Sequence, residues 1–219
     1  MGTMIHFDDP AGGEVPGYLT GAEDTPGLVV IQEWWGLNEQ IKGVADRLAA
    51  AGYRALVPDL YRGRVAQAPD EAEHLMTGLD WVGATGQDVR GAVRHLKANG
   101  RKAAVLGFCM GGAIAILAGV QVPELDAAVC FYGIPPAQAA DPAAVRVPLQ
   151  GHFATQDDWC NPAAVDNLEA RLKAGGVTHE LYRYEAQHAF FNEQRPEVYD
   201  PAASAQAWER SLAFLRAHL

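Results

Sequence analysis

The chain is 219 residues long, with 27 acidic side chains against 17 Lys and Arg and a formal net charge of −10. That balance argues against nucleic acid or an anionic membrane surface as a partner, because phosphate binding needs clustered cations. No segment reaches the roughly 18 apolar residues of a membrane span, and Met1 to Pro10 lacks the basic start and apolar run of a secretory leader, so a cytoplasmic location is expected. Cys109, Cys130 and Cys160, an odd number with no C-x-x-C, fit a reducing compartment and not a disulfide framework. The length fits one domain over residues 1–219.

In chain order, residues 5–7 and 15–19 predict a leading hairpin. Gly27 to Gln32 is an apolar run rich in β-branched residues, the pattern of a strand covered on both faces. Asn38 is placed to cap a helix with Ile41, Val44, Ala45 and Leu48 on its inner side, and Gly52 ends it. A strand over 53–57 stops at Pro58 and gives way to a turn-rich loop. Helices are expected over 69–79 and 85–99, a strand over 102–108 and a helix over 110–119. Strands over 125–132 and 147–154, a helix over 162–174 begun by Pro162, a strand over 177–184 and a closing helix over 201–218 complete the chain. Repeated strand–helix units predict an α/β fold, a mostly parallel sheet with helices on both faces. Ligands bind such sheets at the carboxyl ends of strands. That singles out the segments after Gln32, Phe108, Ala154 and Tyr184.

Gly107-Phe108-Cys109-Met110-Gly111 has the form G-x-nucleophile-x-G between a strand and a helix. Such a turn lifts one side chain above the sheet, and larger residues in place of either glycine would clash. The helix N-terminus lies beside the thiol, an arrangement expected to lower its pKa. The competing reading is a buried, inert cysteine, since free Cys is among the most buried residue types. The spacing is not G-x-G-x-x-G, and no Lys-Ser/Thr follows, so neither a dinucleotide loop nor a P-loop is present. What favours a nucleophile is the order of its partners. Asp157 follows one later strand and His188 the next, giving nucleophile, acid, base in the sequence expected for this strand–helix arrangement. Asp158 is the neighbouring alternative acid. No cluster of His and Cys suggests zinc, and no metal or cofactor is expected.

With these landmarks the chain resembles the dienelactone hydrolases, enzymes of α/β-hydrolase fold that use Cys-His-Asp where relatives use Ser-His-Asp. The landmarks are Gln32 to Asn38 (QEWWGLN), Pro58 to Tyr61 (PDLY), Gly107 to Gly112 (GFCMGG), Phe131 to Gly133 (FYG), Gln156-Asp157, and His188-Ala189-Phe190. The resemblance implies that Cys109, His188 and Asp157 form the triad. It implies that Glu33 contacts the nucleophile at rest and governs its ionisation, and that the backbone N–H groups of Trp34 and Met110 form the oxyanion hole. Trp35, Phe108, Phe190 and Asn192 are expected around the substrate. One departure stands out. Well-known members carry an arginine four residues after the catalytic His to hold a substrate carboxylate, and here that position is Asn192. Arg62 and Arg64 follow PDLY without a clear match to the other family arginine.

The expected reaction is hydrolysis of a small ester or enol lactone through a thioester on Cys109. A thiolate is a good leaving group, so the forward reaction needs a weakly basic leaving group, which an enol supplies and an amide does not. The chain is expected to act as a monomer or weak homodimer. Two alternatives use the same residues differently: a thiol redox or peroxide sensor pairing Cys109 with Cys160, and a non-catalytic ligand-binding protein on the same scaffold.

Overall fold

The computed structural model describes residues 2–219. Eight strands, β1 (Thr3–Asp8), β2 (Glu14–Thr20), β3 (Gly27–Ile31), β4 (Arg54–Pro58), β5 (Ala103–Phe108), β6 (Ala127–Phe131), β7 (Leu149–Gln156) and β8 (His179–Gln187), form one sheet. Their spatial order is β1-β2-β4-β3-β5-β6-β7-β8. The leading hairpin is antiparallel and joins the sheet antiparallel to β4; all other pairings are parallel. β3, β5 and β6 are buried at every position, which is why they read as continuous apolar runs. β8 lies at the edge, and its exposed positions include Arg183 and Glu185, charges that discourage another chain from adding to it.

The helices are α1 (Glu39–Ala50), α2 (Pro69–Thr77), α3 (Trp81–Ala84), α4 (Arg90–Lys97), α5 (Met110–Gln121), α6 (Pro162–Ala174) and α7 (Pro201–His218). Ile41, Val44 and Leu48 of α1 and Ala207, Phe214 and Leu215 of α7 cover one face. α4, α5 and α6 cover the other with Val93, Ile114 and Leu168. Their starts are local chemistry. Asn38 Oδ1 accepts from the Ile41 N–H at 3.1 Å and Asn161 Oδ1 from the Ala164 N–H at 2.9 Å. Asp200 accepts from both Ala202 and Ala203.

Two differences from the sequence expectation matter. The helix expected over 85–99 begins earlier, at Trp81, and is interrupted by a π-helical turn over Thr85–Val89. There the Thr85 hydroxyl donates to the Trp81 carbonyl at 2.6 Å, and Arg62 grips Asp88 through two bonds of 2.8 and 2.9 Å. Those side-chain bonds, together with Gly83 and Gly86, favour the wider turn over regular helix. Second, β7 and β8 run past their expected ends at Ala154 and Tyr184, reaching Gln156 and Gln187 across a register shift near Ala154. The extra residues carry both strands directly to the functional loops.

Candidate active site

Three side chains follow their strands without an intervening residue: Cys109 after β5, Asp157 after β7 and His188 after β8. They meet above the carboxyl ends of the sheet. His188 Nε2 lies 3.2 Å from Cys109 Sγ, and His188 Nδ1 lies 2.7 Å from Asp157 Oδ2. The other Asp157 oxygen accepts the N–H groups of Trp159 and Cys160 at 2.8 and 2.9 Å. Both oxygens are thus engaged. Asp158 is exposed and has no such place in the chain of bonds.

Cys109 has φ +53° and ψ −116°, a conformation that non-glycine residues rarely adopt. The surroundings impose it. The Cys109 N–H donates to the Phe131 carbonyl at 3.0 Å, and its carbonyl accepts from Ala113 at 3.1 Å. A methyl group on Gly107 would strike the Gly111 carbonyl, and one on Gly111 would strike the carbonyls of Ile31 and Gln32. The turn is therefore too tight for any other residue at these two positions.

Glu33, at the end of β3, is buried beside the thiol. Its carboxylate accepts from the Tyr132 hydroxyl at 3.0 Å and from the Asn192 amide at 2.8 Å. The thiol's partner at rest is His188, and Glu33 acts on it through charge across the pocket. Burial raises the Glu33 pKa, and the Asn192 and Tyr132 bonds only partly oppose this. Burial also pushes the Cys109 thiol above the ordinary thiol value. The His188 bond and charge pull it down, and Glu33 pushes it up. The lowered thiol pKa expected from the helix N-terminus is therefore not found, because burial outweighs the His188 bond and charge and the Met110 N–H. Burial works to lower the His188 pKa, but the bonds to Asp157 and Cys109 outweigh it and raise it, so the imidazolium is favoured opposite the thiolate once the proton has moved from sulfur to Nε2. Asp157 is lowered despite burial, chiefly by His188.

Two cavities flank Cys109. One, of about 250 Å³, is lined by Glu33, Trp34, Asp157, His188 and Arg195. The other, of about 180 Å³, lies under α2 and α3. Trp159 borders both; it packs edge-on against Trp34 with ring centres 5.4 Å apart and leans on His188 at 5.3 Å. Trp34 lines the polar cavity, and among the described residues its backbone N–H has no hydrogen-bond partner. The Met110 N–H is directed at the Cys109 sulfur.

The other expected pocket residues lie elsewhere. Phe108 and Phe190 are fully buried in the aromatic core; Phe108 stacks on Phe191 with ring centres 5.2 Å apart. Alternation along β5 turns Phe108 toward the α1/α7 face, away from the cavities. Trp35 packs behind Trp34 onto the opposite core. Asn192 is a buried partner of Glu33 and lines neither cavity. Arg62 is committed to Asp88, and Arg64 Nε reaches the Tyr61 carbonyl at 3.5 Å, so neither lines a cavity. Arg195, seven residues after His188, does line the polar cavity, and its Nε donates to Glu197 at 2.8 Å. It lies three residues beyond Asn192, the position where the family resemblance places an arginine. Trp159 was signalled only by being a tryptophan two residues after the acid.

The sequence profile of the dienelactone hydrolase family matches residues 15–219. The chain belongs to the dienelactone hydrolase family. It is 36% identical over 234 residues to protein usf of Aquifex pyrophilus, covering all of both chains. It is 33% identical over 231 residues to a candidate carboxymethylenebutenolidase of Aquifex aeolicus, again covering all of both. The crystal structure of a candidate dienelactone hydrolase from Klebsiella pneumoniae superposes with a TM-score of 0.83 at 25% identity, covering 97% of this chain and 98% of that one. This family member is thus an ester or lactone hydrolase of α/β-hydrolase fold. Among the described residues, no helix is long and apolar enough to cross a membrane.

Proposed function

We propose that this hydrolase acts by acyl transfer through a Cys109-His188-Asp157 triad and a thioester intermediate. The observation that carries the reading is the continuous chain from Asp157 Oδ2 to His188 Nδ1 and from His188 Nε2 to Cys109 Sγ, at 2.7 and 3.2 Å. His188 Nε2 takes the thiol proton as sulfur attacks the ester carbonyl. Asp157 holds the imidazole with Nδ1–H toward itself and stabilises the imidazolium that forms. The oxyanion is received by the Trp34 and Met110 N–H groups, each worth about 3–4 kcal/mol in comparable sites. Collapse breaks the bond to the leaving oxygen, which takes the proton from His188. Water then gives a proton to His188 and attacks the thioester. Expulsion of sulfur, reprotonated by His188, releases the acid.

Glu33 sets the resting state in this reading. Its charge opposes a thiolate, so the thiol is protonated until a substrate carbonyl is present to be attacked. The names of relatives extend the substrate range to enol lactones, whose weakly basic leaving group suits a sulfur nucleophile. The test is Cys109→Ala, which should abolish hydrolysis of p-nitrophenyl acetate while the circular dichroism spectrum and melting temperature stay close to the parent's. Hydrolysis retained by that variant would remove the thiol from the mechanism. In the parent, intact mass spectrometry after acid quenching should find the acyl group on Cys109.

A further inference from the structure

The attacked carbonyl carbon has three substituents, and the site offers three directions for them. Its oxygen goes toward the Trp34 and Met110 N–H groups. The leaving oxygen must face His188, which returns the proton, and His188 lines only the polar cavity. The third substituent, the acyl side, is left with the cavity under α2 and α3. That cavity has a different chemistry. Met76 and Trp81 line it from α2 and α3, Met110 and Ala113 from α5, and Ile134 from the loop after β6, and no lining side chain is charged. Met76, Trp81 and Ile134 are only partly buried, so their apolar surfaces face an open space beside the nucleophile. The Trp81 indole N–H donates to the Met76 carbonyl at 3.1 Å, which ties the two helices into one wall.

Resting on the acyl-transfer reading above, we propose that this chamber is the acyl subsite and that, among simple esters, it selects those of apolar acids of about four to six carbons, or of benzoic acid. The size sets the range. The chamber holds about 180 Å³, and an apolar cavity of about 150 Å³ accommodates benzene.

The test is kcat/KM for p-nitrophenyl acetate, butyrate, hexanoate, decanoate and benzoate, where the leaving group is constant. The expected profile rises about threefold or more per buried methylene as far as the chamber allows. It peaks at hexanoate and falls at decanoate, with benzoate well above acetate. Ala113→Leu, which fills the chamber, should lower the benzoate-to-acetate ratio at least tenfold. Met76→Ala, on the surface helix and independent of the α5 packing, should enlarge the chamber and move the optimum toward decanoate. A profile that is flat in the parent, or ratios that neither variant moves, would overturn the acyl chamber while leaving the triad standing. Failure of the parent to hydrolyse any of these esters would overturn the acyl-transfer reading and the chamber with it.

Discussion

The amide of Asn192 donates to the buried carboxylate of Glu33 over 2.8 Å, joining residues 159 positions apart. The position where family resemblance suggested a substrate-binding arginine instead supports the group that opposes ionisation of the thiol. Glu33→Gln should therefore make Cys109 easier to ionise. The pH midpoint for alkylation by iodoacetamide should move down, and alkylation at neutral pH should be faster. Asn192→Ala removes one donor from a buried carboxylate and should cost about 1–3 kcal/mol in denaturant titrations. An alkylation midpoint unmoved by Glu33→Gln would show that Glu33 does not govern the thiol.

Asp157 and Asp158 are adjacent, and only Asp157 meets the imidazole. Asp157→Asn should reduce kcat by about 10³–10⁴, as expected when the imidazole loses its orienting acid. Asp158→Asn should cost less than tenfold. Steady-state kinetics of both variants on one ester decide the assignment, and the reverse ranking would transfer the role to Asp158.

His152 predicts a particular acid sensitivity. Its ring is fully buried on β7, with Nδ1 2.8 Å from the Tyr184 hydroxyl and Nε2 2.9 Å from Gln150 Oε1. Ser211 donates to the Ala207 carbonyl, so its oxygen, 3.0 Å from Nε2, is free to accept. These bonds place the proton on Nε2 of a neutral ring. Burial, with Arg210 nearby, lowers the pKa from 6.5 to about 3. In the unfolded chain the ring protonates near 6.5, so the unfolded state holds more protons between these values. The stabilisation is complete above pH 6.5 and is lost as pH falls toward 3, an amount on the order of 5 kcal/mol. Urea midpoints measured from pH 7 to 4 should decline accordingly, and His152→Gln should flatten that decline.

Two glycines should respond in opposite directions to the same substitution. Gly111→Ala places a methyl group against the backbone carbonyls of Ile31 and Gln32 and should destabilise by more than about 3 kcal/mol. Gly43, within α1, has open space around it, and Gly43→Ala should stabilise by about 0.5–1 kcal/mol. Thermal melts of the two variants check both signs.

The parts of the molecule legible in the sequence were those governed by local rules. Strand β5, the cap at Asn38 and the helix start at Pro162 could be read because each depends on residues close in the chain. Of the residues expected around the substrate, Phe108, Phe190 and Asn192 lie within four positions of Cys109 or His188 but turn away from the cavities. Strand alternation sends Phe108 to the opposite face, and the tight turn after His188 sends Phe190 and Asn192 inward. The extensions of β7 and β8 depended on cross-strand pairing. The apolar chamber depends on helices brought in from between β4 and β5. Neither arises from a short-range pattern.

From β3 onward, spatial order and chain order nearly coincide: β5, β6, β7 and β8 add one after another to the same open edge. The sheet can thus grow in the direction of synthesis. Cys109 is in place early, Asp157 arrives with β7 and His188 only with β8. Under the proposed mechanism, a nascent chain carries its thiol well before it carries the imidazole that would activate it, so chemical competence is among the last properties the molecule acquires as it is made.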